Sequence, residues 1–322
     1  MKVVPYTLAY KSAWNDFVRN SKTGTFILER EYMDYHADRF LDCSILLFDD
    51  DCRRLKALFP ANWVGENRCV WSHQGLTYGG LLTEPSVTQT EVLTMFEAIC
   101  SYYRTAYKAS CMVYKPIPYI YSMLPSDEDL YALFRMEAAI KSRLTASVVN
   151  MKYPLKMQTL RRRKANLAKA NGLIVCAMQP FEWPVLCRYW SLLDEVLQER
   201  HQAHPVHTFD EMKLLMQRYP DNIKLHVVMK DEEIVAGTVV YETRQVARVQ
   251  YIASGHAGRQ LGALDLLFEH LLQHVYAGVP YFDFGTSNEE GGRVLNEGLI
   301  FQKEGFGGRT VCYDCYHIRL SE

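Results

Sequence analysis

The sequence predicts an α/β chain, with antiparallel hairpins that give it α+β character, built as two similar domains in tandem. Three observations predict it: the length, one order of strand and helix patterns that occurs twice, and a basic polar segment between the two runs. At 322 residues the chain holds about two domains' worth of sequence. Its composition, 48% hydrophobic and 23% charged, is that of an ordinary globular protein, so each half can bury a core of its own. The halves share an order of elements rather than a sequence, and periodicity leaves two unrelated α/β domains as the alternative. The boundary is placed to give domains 1–154 and 155–322.

In the first half an amphipathic opening (Trp14, Phe17, Val18) leads to the apolar run Phe26-Ile27-Leu28. Cys43 to Phe48 and Leu55 to Pro60 flank the acidic turn Asp49-Asp50-Asp51, a hairpin pattern. Val70-Trp71-Ser72-His73 reads as a strand ended by the turn Thr77-Tyr78-Gly79-Gly80. Val92, Leu93, Phe96, Ile99, Cys100 and Tyr103 recur at helical spacing between Thr88 and Tyr107. Ser110 to Tyr114 is a strand that Lys115-Pro116-Ile117-Pro118 breaks.

The second half repeats that order. Ile223 to Lys230 and Ile234 to Tyr241 flank Asp231-Glu232-Glu233, Val246 to Ala253 is the next strand, Leu261 to Tyr276 is a helix, and Tyr281 to Gly285 is a short buried strand. A further helix is expected from Gly291 to Phe301 and a last strand from Thr310 to Leu320. Between the halves, Leu155 to Ala170 is a basic helical segment with Arg161-Arg162-Arg163-Lys164, ended by Asn171-Gly172 in the manner of a C-cap. A solvated basic face is expected there, because the aromatic interleaving of a single-strand binder is missing.

A formal net charge of -1 gives no bulk reason to expect nucleic acid as the main partner. No run approaches the roughly 20 apolar residues needed to cross a bilayer, and Met1-Lys2-Val3-Val4-Pro5-Tyr6 does not read as a secretory signal. Nine cysteines are scattered along the chain. Cys43, Cys69, Cys111 and Cys176 lie among apolar residues of expected strands, where reduced cysteines act as small hydrophobes. The expectation is a soluble protein of the reducing cytoplasm.

Two stretches exceed generic patterning. One is Pro205-Val206-His207-Thr208-Phe209-Asp210-Glu211-Met212, continuing through Tyr219-Pro220-Asp221-Asn222-Ile223. The other is Phe282-Asp283-Phe284-Gly285-Thr286-Ser287-Asn288-Glu289-Glu290-Gly291-Gly292, with Leu295-Asn296-Glu297-Gly298 and Lys303-Glu304-Gly305-Phe306-Gly307-Gly308 behind it. Together they resemble the FemAB-like branch of the GNAT (acyl-CoA N-acyltransferase) superfamily, in a bacterial acetyltransferase subgroup. The resemblance is closest from Asn166 onward and looser before it, where Ser72-His73-Gln74-Gly75-Leu76-Thr77-Tyr78-Gly79-Gly80 also fits. It implies two GNAT-like domains in tandem, with the working site in the C-terminal one, and acyl transfer to an amine.

By that resemblance the donor phosphates would sit at Ser254 to Ala263, where Arg259 and Gly262 fit the family's loop and Leu264 departs from it. Arg259, Gly262 and Ala263 are therefore the donor-binding candidates, with the backbone near Ile252 as oxyanion donor. An amine with a pKa of ~10 is protonated at pH 7, so a base is needed. Glu289, Glu290, Asp283 and His207 are candidate bases and Tyr251 a candidate acid. A carboxylate inside an apolar strand, as at Asp283, needs a partner. Glu289 can simply complement a helix dipole, and half-buried strand tyrosines are common.

Arg200, His201, Ser287, Asn288, Asn296 and Lys303 are candidate acceptor-binding or supporting residues. His201, His204 and His207 invite a metal, but Pro205 breaks the helix that would present them and no carboxylate or cysteine completes the set, so none is expected. Cys312-Tyr313-Asp314-Cys315 lacks both a second pair and a helix N-terminus, and His270 and His274 read as surface residues. The expected donor is acetyl-CoA or another acyl-CoA, and the acceptor a small amine or amino sugar. An aminoacyl-tRNA donor and a degenerate, non-catalytic binding fold remain as alternatives.

Overall fold

The computed structural model describes residues 1–320 and, for His201, the backbone alone. The chain opens with β1 (Lys2–Pro5), α1 (Lys11–Asn20), α2 (Arg30–Met33), β2 (Leu41–Asp42), β3 (Ile45–Phe48), β4 (Leu55–Phe59) and β5 (Asn62–Val64). Next come β6 (Cys69–Trp71), β7 (Leu82–Thr83), α3 (Gln89–Ala106), β8 (Cys111–Tyr114), α4 (Glu128–Arg135) and β9 (Ala139–Asn150). Then follow α5 (Thr159–Ala170), β10 (Ile174–Ala177), α6 (Trp183–His201), α7 (Phe209–Arg218), β11 (Ile223–Lys230), β12 (Glu233–Glu242) and β13 (Val246–Ser254). The last elements are α8 (His256–Leu261), α9 (Ala263–His270), β14 (Tyr281–Thr286), β15 (Asn288–Glu289), β16 (Val294–Leu295), α10 (Glu297–Glu304) and β17 (Arg309–Arg319).

Two units divide the chain. The first is Met1–Leu144 with Glu290–Arg293 and everything from Cys312 onward; the second is Thr145–Glu289 with Val294–Val311. The division falls at residue 145 rather than 155, and the end of β17 groups with the first unit rather than the second.

In the first unit β3 and β4 form the expected hairpin, Ile45 opposite Phe59, flanked by β1 and β7. Thr88 and Glu91 close a capping box at the start of α3, satisfying two amide donors that a helix start leaves open. The helical stripe Val92, Phe96, Ile99 and Tyr103 then packs with Ile45, Leu47 and Phe59 in one core. β6 and β8 are parallel, Cys69 opposite Cys111 and Trp71 opposite Val113. That register joins Cys69 and Cys111 as a disulfide, correcting their reading as reduced packing residues. Cys176 is exposed rather than buried, because β10 has a neighbour on one side only.

In the second unit β10 to β13 are antiparallel neighbours, β14 runs parallel to β13, and the Thr145–Asn150 end of β9 lies against β14. Helices α5 and α9 cover one face over Val240, Ala247, Val249, Phe282 and Phe284. Small residues on α5, the fully buried Ala165 and Ala168, let the two helices approach. Arg161 does not join a solvated basic face: it is buried and its Nη1 donates to Asp265 Oδ1 at 2.8 Å, leaving Arg162 and Arg163 exposed. A buried guanidinium needs such a partner.

The helix expected from Gly291 to Phe301 begins at Glu297 instead. Gly291 and Gly292 take φ of +62° and +99°, which helical backbone excludes, and form the turn of the β15–β16 ribbon. Asn296 then caps α10, its side chain accepting from the Leu299 amide at 3.0 Å. Among the described residues no helix is long and apolar enough to cross a membrane.

Candidate functional site

The site of interest starts from an irregularity in β13. Val239 faces Tyr251 and Val240 faces Val249, so Gln250 is an extra residue, a bulge. The parallel ladder to β14 runs from Val246 opposite Tyr281 only as far as Arg248 opposite Asp283. β13 continues to Ser254, while β14 follows β9 through Gly285, whose φ of +74° turns the strand. The two parallel strands therefore part just after Arg248 and Asp283.

Tyr251 lies on the freed part of β13. Its Oη is 2.5 Å from His207 Nδ1 and accepts the His207 backbone amide at 3.2 Å, and Trp190 of α6 packs against its ring edge-on at 5.2 Å. Local sequence puts His207 there. α6 ends at His201, Gln202 takes a left-handed φ of +49°, and the Thr208–Glu211 capping box starts α7 one residue after His207. Burial pushes the Tyr251 phenol up to about 12, against the opposing effect of the donors bonded to it.

Asp283, fully buried between Phe282 and Phe284, accepts from the Gly285 amide at 2.7 Å and sits 3.6 Å from Arg248 Nε. Lys303 of α10 is buried and donates to the Gly285 and Thr286 carbonyls at 3.0 and 2.7 Å. Burial pulls its ammonium down to about 8, the Asp283 charge resisting and Arg248 assisting. Two cations against one carboxylate leave the place where the strands part cationic.

Other expected residues are drawn elsewhere. Glu289 is exposed and accepts from Asn296 Nδ2 at 2.9 Å; Asn296 is thereby a cap and a ribbon tie. Asn288 Oδ1 holds the Thr145 amide and hydroxyl at 2.6 and 2.9 Å, a staple rather than a free ligand group. Ser287 is buried, its amide donating to the Thr145 carbonyl. Arg200 is exposed near the end of α6, and the side chain of His201 lies outside the described residues. His204 bonds Asp194 and Gln198 at the end of α6, whereas His207 is bonded to Tyr251; among the described residues no cluster suits a metal ion.

Gly262 and Ala263 do not form an open phosphate loop, which corrects that expectation. A Cβ on Gly262 would lie 2.6 Å from the Lys164 carbonyl of α5, and Ala263 is fully buried beneath that helix. The turn that follows β13 directly is the start of α8, where Arg259 Nη1 donates to the Ser254 carbonyl at 2.8 Å. Two polar residues went unremarked in the sequence, Arg248 and Gln250. Their signal was a pair of polar side chains inside an otherwise apolar strand, too weak alone to separate from an exposed sheet face.

Residues 156–290 match the family profile described as an acetyltransferase (GNAT) domain. That stretch thus carries a GNAT-type acetyltransferase domain, which supports an N-acyltransferase. Solved structures agree with this fold over the full length. FemX matches at TM-score 0.66 with 11% identity, covering 99% of this chain and 97% of its own. L-PGS from Bacillus licheniformis matches at 0.61 with 15% identity, covering 98% and 93%. A tandem GNAT protein from the clavulanic acid biosynthesis pathway matches at 0.54 with 11% identity, covering 100% and 99%. No curated protein matches the sequence.

Proposed function

We propose that the second unit transfers an acyl group, acetyl in the simplest case, from a coenzyme A thioester to the amine of a small molecule such as an amino sugar. The observation that carries this reading is the parting of β13 from β14 beside the bonded pair Tyr251 and His207. A thioester lying along the freed edge of β13 takes the place of the missing strand, and the backbone near Ile252 polarises its carbonyl. The first turn of α8 follows at once, with amides that have no acceptor within the helix, a seat for pyrophosphate. Gly258 lets that turn lie close to β12, since a Cβ there would be 2.3 Å from the Val235 carbonyl.

The amine nitrogen bonds to the acyl carbon and the C–S bond breaks. A proton leaves nitrogen for Tyr251 Oη as the phenol proton passes to His207 Nδ1, and the imidazolium so formed returns one proton to the departing thiolate. Lys303 and Arg248 keep the surroundings cationic, which favours negative charge developing on the acyl oxygen. The test is calorimetry with acetyl-CoA together with release of free thiol in the presence of amine acceptors. Binding and turnover are expected; neither heat nor turnover at millimolar acetyl-CoA would leave the fold as a non-catalytic binder.

One observation favours a second reading. Lys152, Lys156, Arg162 and Arg163 are exposed in and just ahead of α5, a basic stretch suited to an RNA backbone. An aminoacyl-tRNA would then be the donor, and product formation abolished by ribonuclease would select it over coenzyme A.

A further inference from the structure

Residues 151–181 hold seven lysines and arginines and no aspartate or glutamate, and all of them lie in the second unit. Two of those cations are neutralised within the fold, Arg161 by Asp265 and Lys169 by Glu269. Lys152, Lys156, Arg162 and Arg163 are exposed. Charge of one sign accounts for attraction to a polyanion. It does not account for the large apolar side chains that stand in water among the cations.

α5 orders them. At about 100° per residue, Leu160, Arg163 and Leu167 fall within about 60° of one another on the helix. That arc lies about 130° round the axis from Arg161, Ala165 and Ala168, the buried side that meets α9. Leu160 and Leu167 are accordingly 44% and 46% exposed, with an arginine between them. In the run that leads into the helix, Tyr153 and Leu155 are 71% and 48% exposed, and Lys152 Nζ lies 5.5 Å from the centre of the Tyr153 ring. The Gln158 amide donates to the Gly305 carbonyl at 2.8 Å, which brings the half-buried Glu304 to that end of the surface.

An RNA backbone would meet the cations and leave the leucines wet, and base stacking needs aromatic faces that α5 lacks. A bilayer with anionic headgroups takes both kinds of side chain. Its phosphates meet lysine and arginine, while leucine and tyrosine enter the boundary between headgroups and acyl chains. We infer that the exposed face of α5 and the run leading into it form a docking surface for an anionic lipid bilayer, on which the second unit rests without spanning it. This surface is independent of the acyltransfer reading.

Cosedimentation of the full chain with vesicles tests it, phosphatidylglycerol mixed with phosphatidylcholine being compared with phosphatidylcholine alone. Binding to the anionic vesicles should be at least about tenfold stronger than to the neutral ones and should weaken as salt is raised. Leu160→Gln with Leu167→Gln should lower it by about tenfold or more, with circular dichroism unchanged because both positions are exposed. Arg162→Gln with Arg163→Gln should lower it by a similar factor. Equal binding to both kinds of vesicle, binding to neither, or an unaltered affinity in the folded leucine variant overturns the inference. Binding of an RNA duplex without binding of vesicles marks an RNA surface instead. A dimer that the leucine variant dissolves, again without vesicle binding, marks a contact between copies, and either result removes the bilayer. Vesicle binding by a chain that transfers no acyl group upholds the surface and removes the acyltransfer reading alone.

Discussion

Each unit contains a hairpin, a strand, a long helix and a second strand parallel to the first, yet the two parallel junctions differ. In the first unit β6 and β8 are held together beyond their ladder. The Ser72 amide donates to the Val113 carbonyl at 2.8 Å, the Lys115 amide to Ser72 Oγ at 2.7 Å, and the Gly79 amide to the Lys115 carbonyl at 3.1 Å. A Cβ on Gly79 would lie 2.1 Å from the Ser72 carbonyl, so glycine is what permits this closure. The Cys69–Cys111 disulfide ties the same pair. In the second unit β13 and β14 separate after Arg248 and Asp283, with a bulge, a bonded Tyr–His pair and a buried lysine at the parting. One architecture thus gives two junctions: one stitched by its own backbone, and one left open, the place where the proposed reading puts the thioester.

The largest expected effect tests the open junction. Tyr251→Phe or His207→Ala should reduce acyl-transfer turnover by about 10²–10⁴-fold, with circular dichroism unchanged, while Ser72→Ala leaves turnover within a small factor. Equal losses from both junctions would erase the distinction. Next in size is the disulfide. Its loop of 42 residues suggests that Cys111→Ser costs about 3–4 kcal/mol of stability, read by urea unfolding, with acetyl-CoA binding by the folded protein intact.

A third effect comes from His36 and His73, which pack in the first unit with ring centroids 5.3 Å apart. Burial pulls His36 down to about 4, with Arg39 adding to it and Asp38 opposing, and pulls His73 well down, with His36, Lys115 and Arg30 adding to it. Both rings are neutral when folded and protonate more readily when unfolded. Their contribution is therefore complete above the ordinary histidine pKa of about 6.5 and is lost as pH falls from there toward about 4. The expected slope is up to about 1.4 kcal/mol per pH unit for each ring. The double variant His36→Phe, His73→Phe should flatten it. Smallest is Asn296→Ala, which removes a helix cap at about 1 kcal/mol and leaves turnover to report whether the ribbon matters to chemistry.

Much of this was legible in the sequence. The acidic turn between two apolar runs gave β3 and β4, the helical stripe from Val92 to Tyr103 gave α3, and Asn171-Gly172 closed α5, with Gly172 at φ +76°. These are local signals, written in adjacent residues. What escaped depends on pairing between distant ones. Arg161 turns inward because Asp265, 104 residues away, is there to meet it. Cys69 and Cys111 pair because a parallel register sets them opposite. The shift of α10 was local, yet two glycines in left-handed backbone outweighed the polar run that read as helix. His207 and Tyr251 were both named from sequence, but their meeting joins residues 44 apart, which no periodicity reveals.

The most direct measurement is amide hydrogen exchange with and without acetyl-CoA. The account predicts added protection confined to residues 249–258, the freed end of β13 and the first turn of α8, and none at residues 69–80 or 111–115. Protection at the β6–β8 junction, or none at 249–258 under saturating donor, would contradict it.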